Sequence, residues 1–193
     1  MPRRICPRCG SKKTAKILYG MPVMSPELEE QLNRGDVVLG GCCITDCDPV
    51  YHCNKCKKDF GAPTAELEAE ATSFYFSIGG FFGENHIIMV LKMEDGAIVH
   101  YTAGSGYLPE EPTAKEQLSP EEWKAFIHRI FHCYITDWKK RYVDPHIVDG
   151  TQWELEIHFM KRKPLKIYGS NKYPVHWDKF IRTVNTLGFY IAG

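Results

Sequence analysis

Four cysteines in two Cys-x-x-Cys pairs have the residue type and the spacing to bind a metal ion. Cys6 and Cys9 form one pair, and Cys53 and Cys56 form the other. Two intervening residues let a single tight turn offer both of its sulfurs to one ion, and two such turns supply the four thiolates that are typical of structural zinc. We therefore expect these four cysteines to bind one structural Zn²⁺ ion.

Three further cysteines, Cys42, Cys43 and Cys47, lie between the two pairs, and any of them could displace one of the four ligands. The paired set is preferred because a Cys-x-x-Cys turn closes on an ion with little loss of chain entropy. Adjacent residues of an extended chain point in different directions, so Cys42 and Cys43 cannot easily share one ion. We predict that the three are small buried apolar side chains. The alternative is a reactive thiol, which would need a lowered pKa.

The segment between the pairs is longer than the roughly 15 to 20 residues of compact zinc modules, so it needs structure of its own. Ser25 and Pro26 are a good helix cap and first helical residue, and Gly35 is a good stop. The predicted elements are a strand over 14–19, a helix from the Ser25 cap to about Arg34, a strand over 37–39 and a return segment over 49–51.

Basic residues flank both cysteine pairs: Arg3, Arg4, Arg8, Lys12, Lys13, Lys55, Lys57 and Lys58. A zinc ion with four thiolates carries two net negative charges, which these side chains can offset. The alternative is that the same surface binds nucleic acid, with nearby aromatic side chains stacking on bases. The whole chain has 24 basic and 24 acidic side chains, so it lacks the strong global field of a typical nucleic-acid-binding protein, and this alternative is not favoured.

Three segments of the first third, residues 6–10, 40–44 and 51–56, together resemble the zinc ribbon segment of small uncharacterised bacterial proteins. The resemblance implies a rubredoxin-like zinc ribbon and attaches no activity to it. Two later segments, residues 149–153 and 168–171, are similar to segments of other uncharacterised bacterial domains. That similarity implies no known reaction.

The sequence predicts two domains, which is consistent with a length of 193 residues. Residues 1–62 form the zinc ribbon with its helical insert, residues 63–72 are an acidic linker poor in large apolar groups, and residues 73–193 form a second domain. Its apolar patterns indicate three strands, a helix beginning at Ser119-Pro120, two strands and a last helix. The expected fold class is α+β: a zinc ribbon plus a two-layer domain, with an antiparallel sheet of about five strands and two helices on one face.

Two histidines, His128 and His132, are four residues apart on the first helix of the second domain, a spacing that can hold a metal ion. On a helical wheel both lie outside the apolar stripe, and no carboxylate of the Glu-x-x-His kind accompanies them. We predict that they are ordinary surface histidines.

No sequence motif points to a catalytic reaction. We find no phosphate-binding loop, no Gly-x-Ser-x-Gly, no dinucleotide-binding pattern and no His-Glu-x-x-His. An enzyme is therefore unsupported, although catalytic residues scattered along the chain can converge in a fold. If the second domain has a site, the loops over 144–151 and 168–174 are the places to expect it, since they are richest in polar groups, although turn formation alone accounts for their composition.

No apolar run follows the basic N-terminus, and the longest such run, residues 87–91, is too short to cross a bilayer. Paired cysteines without an export signal are more often metal ligands in a reducing compartment than disulfides. We expect a cytoplasmic protein with no membrane association, whose partner is an unknown protein or small molecule.

Overall fold

The computed structural model describes residues 4–80, 83–106, 108–147 and 149–191. The chain divides into two compact units, Met1–Thr64 and Ala65–Gly193. Each unit has its own β-sheet.

The first unit is a small sheet with one helix. Its sheet has the strand order β2-β1-β3-β4, in which β1 pairs with β2 in parallel and the other two pairings are antiparallel. In chain order its elements are β1 (Thr14–Leu18), α1 (Pro26–Arg34), β2 (Val37–Leu39), β3 (Tyr51–Cys53) and β4 (Asp59–Phe60).

The predicted helix of the first unit is confirmed, because its signals are local. The Ser25 hydroxyl accepts a hydrogen bond from the backbone N–H of Leu28, and Pro26 occupies the first turn. Gly35 ends the helix with a φ of 70°, a left-handed conformation that costs glycine nothing. The strand predicted over 37–39 is confirmed as β2, and β1 ends one residue before its predicted end.

The second unit combines helices with a larger sheet. In chain order its elements are α2 (Ala65–Glu70), β5 (Ala71–Gly79), β6 (Glu84–Met93), β7 (Gly96–Ser105), β8 (Ala114–Leu118), α3 (Pro120–Phe131), a 3₁₀ turn (Ile135–Asp137), β9 (Arg141–Val143), β10 (Gln152–Phe159), β11 (Leu165–Ser170), α4 (Trp177–Val184) and a second 3₁₀ turn (Asn185–Leu187). The predicted capping box of α3 is present, with Ser119 and Glu122 bonding each other's backbone N–H groups.

Among the described residues, the sheet of the second unit has seven strands in the order β8-β7-β6-β5-β10-β11-β9, so the prediction of about five strands was wrong. The two missed strands are the two edges. Strand β8 has the mostly polar sequence AKEQL, and β9 is only three residues long, so neither has the apolar alternation by which a buried strand is recognised. The sheet is also mixed, because β9 pairs with β11 in parallel.

One face of this sheet carries the core of the second unit. The inward side chains of the central strands alternate with outward ones, and they pack with buried residues of α3 and α4 in one cluster. Large inward members of the cluster include Phe74, Phe76, Leu155, Ile157 and Phe180, none of which is exposed to solvent. The opposite face bears the alternating residues, among them Tyr75, Ser77 and Glu154, which are half-buried.

The segment predicted as a linker, residues 63–72, contains regular structure from Ala65 onward. Helix α2 begins at Ala65 and β5 begins at Ala71, both within the second unit. Helix α2 buries no residue, which explains why its sequence resembles a solvated linker. Its Leu67 nevertheless packs against the core of the second unit.

Candidate functional site

The first cysteine turn, residues 6–11, is closed by two backbone hydrogen bonds. The N–H of Gly10 donates to the carbonyl of Cys6 over 2.9 Å, and the N–H of Cys6 donates to the carbonyl of Ser11 over 3.0 Å. Gly10 has a φ of 69°, a left-handed conformation that glycine adopts without steric cost. Both sulfurs are thereby directed to one side of the turn.

The second cysteine turn, residues 53–58, repeats this hydrogen-bond pattern. The N–H of Lys57 donates to the carbonyl of Cys53 over 2.8 Å, and the N–H of Cys53 donates to the carbonyl of Lys58 over 2.9 Å. Lys57 takes the place of Gly10 and has a φ of 56°. A side chain in this region costs about 1–2 kcal/mol. The second turn therefore has the same hydrogen bonds as the first, with local backbone strain at Lys57.

Strand pairing brings the two turns together. Strand β1 starts just after the first turn and β3 ends in the second, and the two strands pair with Thr14 opposite Cys53. The sulfurs of Cys6, Cys9, Cys53 and Cys56 all lie within 4.8 Å of one another. The Sγ atoms of Cys6 and Cys56 are 3.7 Å apart, and those of Cys9 and Cys53 are 3.6 Å apart. The four predicted ligands are therefore close enough to hold a metal ion.

These distances fit a tetrahedral thiolate site. Four sulfurs about 2.3 Å from a central ion are separated by about 3.8 Å from one another. Cys6 and Cys53 are fully buried, whereas Cys9 and Cys56 are half-buried. A four-sulfur set that is shielded in this way has no open position for a substrate or a catalytic water.

Burial and neighbouring groups shift the pKa values of Cys6, Cys53 and Cys56. Burial raises the pKa of Cys6 to about 12 and, together with the thiols of Cys53 and Cys9, the pKa of Cys56. Burial also acts to raise the pKa of Cys53, but backbone N–H groups of Cys56 and Lys55 and the neighbouring thiols lower it to about 7. A dication bound among the four sulfurs would displace their protons.

The other cysteines lie elsewhere. Cys42, Cys43 and Cys47 are exposed, so the prediction that they are buried apolar side chains was wrong. The prediction was based on the apolar character of Gly-Gly-Cys-Cys-Ile, but this segment is a loop outside any strand. Within the described residues, none of the three sulfurs hydrogen-bonds a histidine, and none belongs to the four-sulfur cluster. Cys133 is buried in the core of the second unit, and burial raises its pKa.

The basic residues around the turns are mostly exposed. Arg8 is half-buried, whereas the flanking lysines and Arg4 are exposed, and Arg3 lies outside the described residues. The lysines in question are Lys12, Lys13, Lys55, Lys57 and Lys58. Their charges lie on the surface of the first unit, where they can offset the charge of a metal–thiolate centre.

A cleft of about 820 Å³ lies on the second unit and includes its open sheet face. The register puts Ser77 of β5 opposite Glu154 of β10, and Glu154 opposite Tyr168 of β11. Tyr75 and Gln152 extend this row of polar and aromatic side chains. The described residues that line the cleft include two carboxylates, Asp149 and Glu154, and no lysine or arginine.

The two polar loops singled out in the sequence meet at one end of this cleft. The amide oxygen of Asn171 accepts a hydrogen bond from the N–H of Thr151 over 2.8 Å, and the N–H of Asn171 donates to the carbonyl of Thr151 over 2.9 Å. Asp149, Gly150 and Gly169 line the cleft, whereas Val148 lies outside the described residues. Asn171 thus holds the loop that forms the cleft wall.

Two neighbouring carboxylates of β10 differ in their pairing. Glu156 forms an ion pair with Lys166 and contacts His158 over 3.1 Å, and the hydrogen bond from Lys166 lowers the pKa of Glu156. Within the described residues, Glu154 has no such cationic partner, although it is half-buried. A positively charged group of a bound ligand would complete its pairing.

The two histidines of α3 are exposed, as predicted, but a carboxylate does lie beside them. Glu68 of α2 approaches His128, with 2.9 Å between its Oε2 and the ring Nδ1. The rings of His128 and His132 have centroids 4.2 Å apart. The pKa of His132 is lowered by partial burial, by His128 and by Lys179, against the opposing effect of Glu68. The sequence could not reveal Glu68, which lies 60 residues before His128.

Comparison with known proteins finds no matching family model, no similar curated protein and no similar solved structure. The resemblance of the first unit to bacterial zinc ribbon proteins therefore stays a prediction. Within the described ranges, no helix has the length and apolar character needed to span a membrane.

Proposed function

We propose that Cys6, Cys9, Cys53 and Cys56 bind one structural Zn²⁺ ion, and that the second unit is the ligand-binding part of the protein. The observation that supports the metal site is the convergence of all four sulfurs within 4.8 Å, with two separations of 3.6 and 3.7 Å. Zinc is the proposed ion because four thiolates in a tetrahedral arrangement favour it over oxygen-preferring cations. The role is structural because four protein ligands leave no position for a substrate.

Metal analysis of the purified full-length chain tests the zinc site. We expect one zinc per chain to remain bound after dialysis against a weak chelator, and the Cys53→Ser and Cys56→Ser variants to lose it. Cys43→Ser and Cys47→Ser are matched controls, since both replace exposed thiols outside the cluster, and they should retain the ion. Retention of zinc by Cys53→Ser, or its loss from the controls, would overturn the assignment.

The proposed ligand of the second unit is a small neutral or cationic molecule. The volume of the cleft lies within the range of about 300–1,000 Å³ that small-molecule sites occupy. Glu154 lacks a cationic partner among the described residues, and Tyr75 offers aromatic surface. The Arg141 guanidinium already lies 5.5 Å from the centroid of the Tyr168 ring, but no lysine or arginine belongs to the described lining itself, which disfavours anions. A site that binds a molecule reversibly needs no catalytic group, and we propose binding rather than a reaction.

A fragment screen by thermal shift tests the cleft, with primary amines compared against carboxylic acids of similar size. We expect amines to raise the unfolding temperature of the native chain more than acids do. Glu154→Gln should abolish that difference, whereas Glu116→Gln on the exposed strand β8 should preserve it. Equal shifts by amines and acids, or a difference that survives Glu154→Gln, would contradict the proposal.

Nucleic-acid binding by the first unit is the competing proposal, supported by its exposed lysines. It predicts an affinity for single-stranded DNA or RNA that falls steeply with salt. Lys55→Glu and Lys58→Glu would then weaken binding. Absence of binding at low salt would remove this alternative. The role of the lysines would then be to offset the charge of the metal–thiolate centre.

We also propose that the protein works in a reducing compartment such as the cytoplasm. All the cysteines of the described chain are unbridged, and three of them are exposed. Exposed thiols and thiolate ligands persist where thiols are kept reduced.

A further inference from the structure

Helices α2 and α3 of the second unit bring three metal-binding side chains together on the surface. Glu68 comes from α2, and His128 and His132 come from successive turns of α3. One potential ligand atom of each residue lies within 4.8 Å of those of the other two. Two imidazoles with one carboxylate form a mixed nitrogen–oxygen set that is independent of the cysteine cluster.

We infer that Glu68, His128 and His132 form a second metal site, which binds a divalent first-row transition-metal ion such as Zn²⁺ or Ni²⁺. Imidazole nitrogens suit these ions, whereas Mg²⁺ and Ca²⁺ prefer oxygen ligands. Three protein ligands leave at least one coordination position to water, in contrast to the closed four-sulfur cluster.

The spacing of the ligand atoms supports one shared ion. Nitrogen and oxygen ligands about 2.1 Å from an ion are about 3.0 Å apart in an octahedral site and about 3.4 Å apart in a tetrahedral one. The Oε2 atom of Glu68 and the Nδ1 atom of His128 are 2.9 Å apart. A hydrogen bond holds the same two atoms at this distance, so an ion can replace the proton between them with little movement.

The third ligand is held on the same side by the helix. Residues four apart on a helix are neighbours on its surface, and the ring centroids of His128 and His132 are 4.2 Å apart. Both rings are exposed, so they can rotate to close on an ion. The carboxylate of Glu68 is more restrained, since only 18% of its side chain is exposed.

The positive charge of Lys179 opposes cation binding here. The Nζ atom of Lys179 donates a hydrogen bond to the carbonyl oxygen of His132 over 2.7 Å. Its ammonium group repels a nearby cation, so removing it is expected to tighten metal binding. The metal site can therefore be tested by a variant that should bind the ion more tightly as well as by variants that should bind it less tightly.

Calorimetric titration of the full-length, tag-free chain with NiCl₂ tests the inference, after the cysteine cluster has been loaded with zinc. We expect one equivalent of Ni²⁺ to bind and MgCl₂ to give no signal. His128→Ala and His132→Ala should each weaken Ni²⁺ binding by a factor on the order of 100, because even the outer-shell partners of metal ligands are worth 10- to 100-fold in affinity. Glu68→Gln should also weaken it, and Lys179→Gln should strengthen it several-fold.

His158→Ala is the matched control, because His158 is an exposed histidine with a carboxylate neighbour, Glu156, at 3.1 Å. It should bind Ni²⁺ as the native chain does. Undiminished Ni²⁺ binding by both His128→Ala and His132→Ala would overturn the inference, and so would equal weakening by His158→Ala. If the cysteine cluster failed to retain zinc, its thiols would take up Ni²⁺ to the same extent in every variant, so the differences among the variants would still report on the second unit, to which all the altered residues belong.

Discussion

The two units differ in what can hold them folded. In the second unit the buried cluster draws on strands, helices and 3₁₀ turns, and it contains the buried aromatic side chains of Phe74, Phe76, Trp153 and Phe180. In the first unit few residues are buried, and α1 buries none. The buried apolar residues described there are Pro7, Ala15, Ile17 and Phe60, joined by Cys6 and Cys53.

The small core of the first unit explains why its cysteines are placed to bind a metal ion. The first unit, Met1–Thr64, cannot offset its loss of conformational entropy with so small a core. Small folds commonly rely on a metal ion or disulfides instead. Two of the first unit's most buried side chains are themselves candidate ligands. The second unit has a large buried cluster, and we expect it to be stable without an ion.

Removal of the metal is expected to have the largest effect. Metal binding to thiolate sites of this kind contributes about 10–16 kcal/mol, which exceeds the stability of a small unit. Chelation, or Cys53→Ser, should therefore unfold the first unit and leave the second folded. Hydrogen exchange should show rapid exchange of β1 and β3 amides with continued protection in β5, β6 and β10.

The matched control for that experiment is Cys47→Ser, an exposed thiol in the same unit. It should leave protection unchanged in both units. Persistent protection of β1 and β3 after complete metal removal would show that the first unit folds on its small core alone.

The converse change is Phe76→Ala, which should affect the second unit only. Phe76 is fully buried and packs edge-on against Trp177 and Phe180. Replacement of a buried phenylalanine by alanine costs about 3–5 kcal/mol. Denaturant unfolding followed by tryptophan fluorescence reports on this unit, because all 4 tryptophans of the chain lie within it.

Tyr75→Ala is the control, since its side chain points to the open face and is only half-buried. It should cost less than Phe76→Ala. Phe76→Ala should also leave the metal content of the chain unchanged. Loss of zinc from Phe76→Ala would mean that the two units do not fold independently.

A smaller loss is expected from Gly169→Ala in β11. A Cβ atom at this position would lie 2.3 Å from the ring of Trp153, a buried side chain whose indole N–H bonds the carbonyl of Lys172. Overpacking of this kind costs about 1–3 kcal/mol. Gly83→Ala, where an added Cβ meets nothing within 4 Å, should be nearly neutral in the same unfolding assay.

The elements that the sequence predicted correctly are those with local signals. Helix α1 has its cap at Ser25 and its stop at Gly35, and α3 has the capping box of Ser119 and Glu122. The cysteine pairs are similarly local, because each turn is specified within six residues. The two turns come together only because β1 pairs with β3. The sequence predicts the segments that pair, but it gives no distance between the two turns.

The features that the sequence could not supply depend on tertiary packing. Edge strands β8 and β9 lack a recognisable apolar alternation, because β8 is mostly polar and β9 has only three residues. Glu68 reaches His128 only because α2 packs beside α3. The cleft similarly depends on the register that aligns Ser77, Glu154 and Tyr168 across three strands.

The smallest expected effect is a gain of stability in the first unit from Lys57→Gly. Gly10 and Lys57 occupy equivalent positions in the two cysteine turns, and both have positive φ, but only Lys57 carries a side chain there. Relief of this strain should stabilise the zinc-bound first unit by about 1 kcal/mol, less the extra entropy that glycine gives the unfolded chain. Competition with a chelator measures the change as tighter zinc retention. Gly10→Ala should shift the competition the opposite way, and weaker retention in Lys57→Gly would show that the lysine side chain contributes more through its charge than its backbone costs.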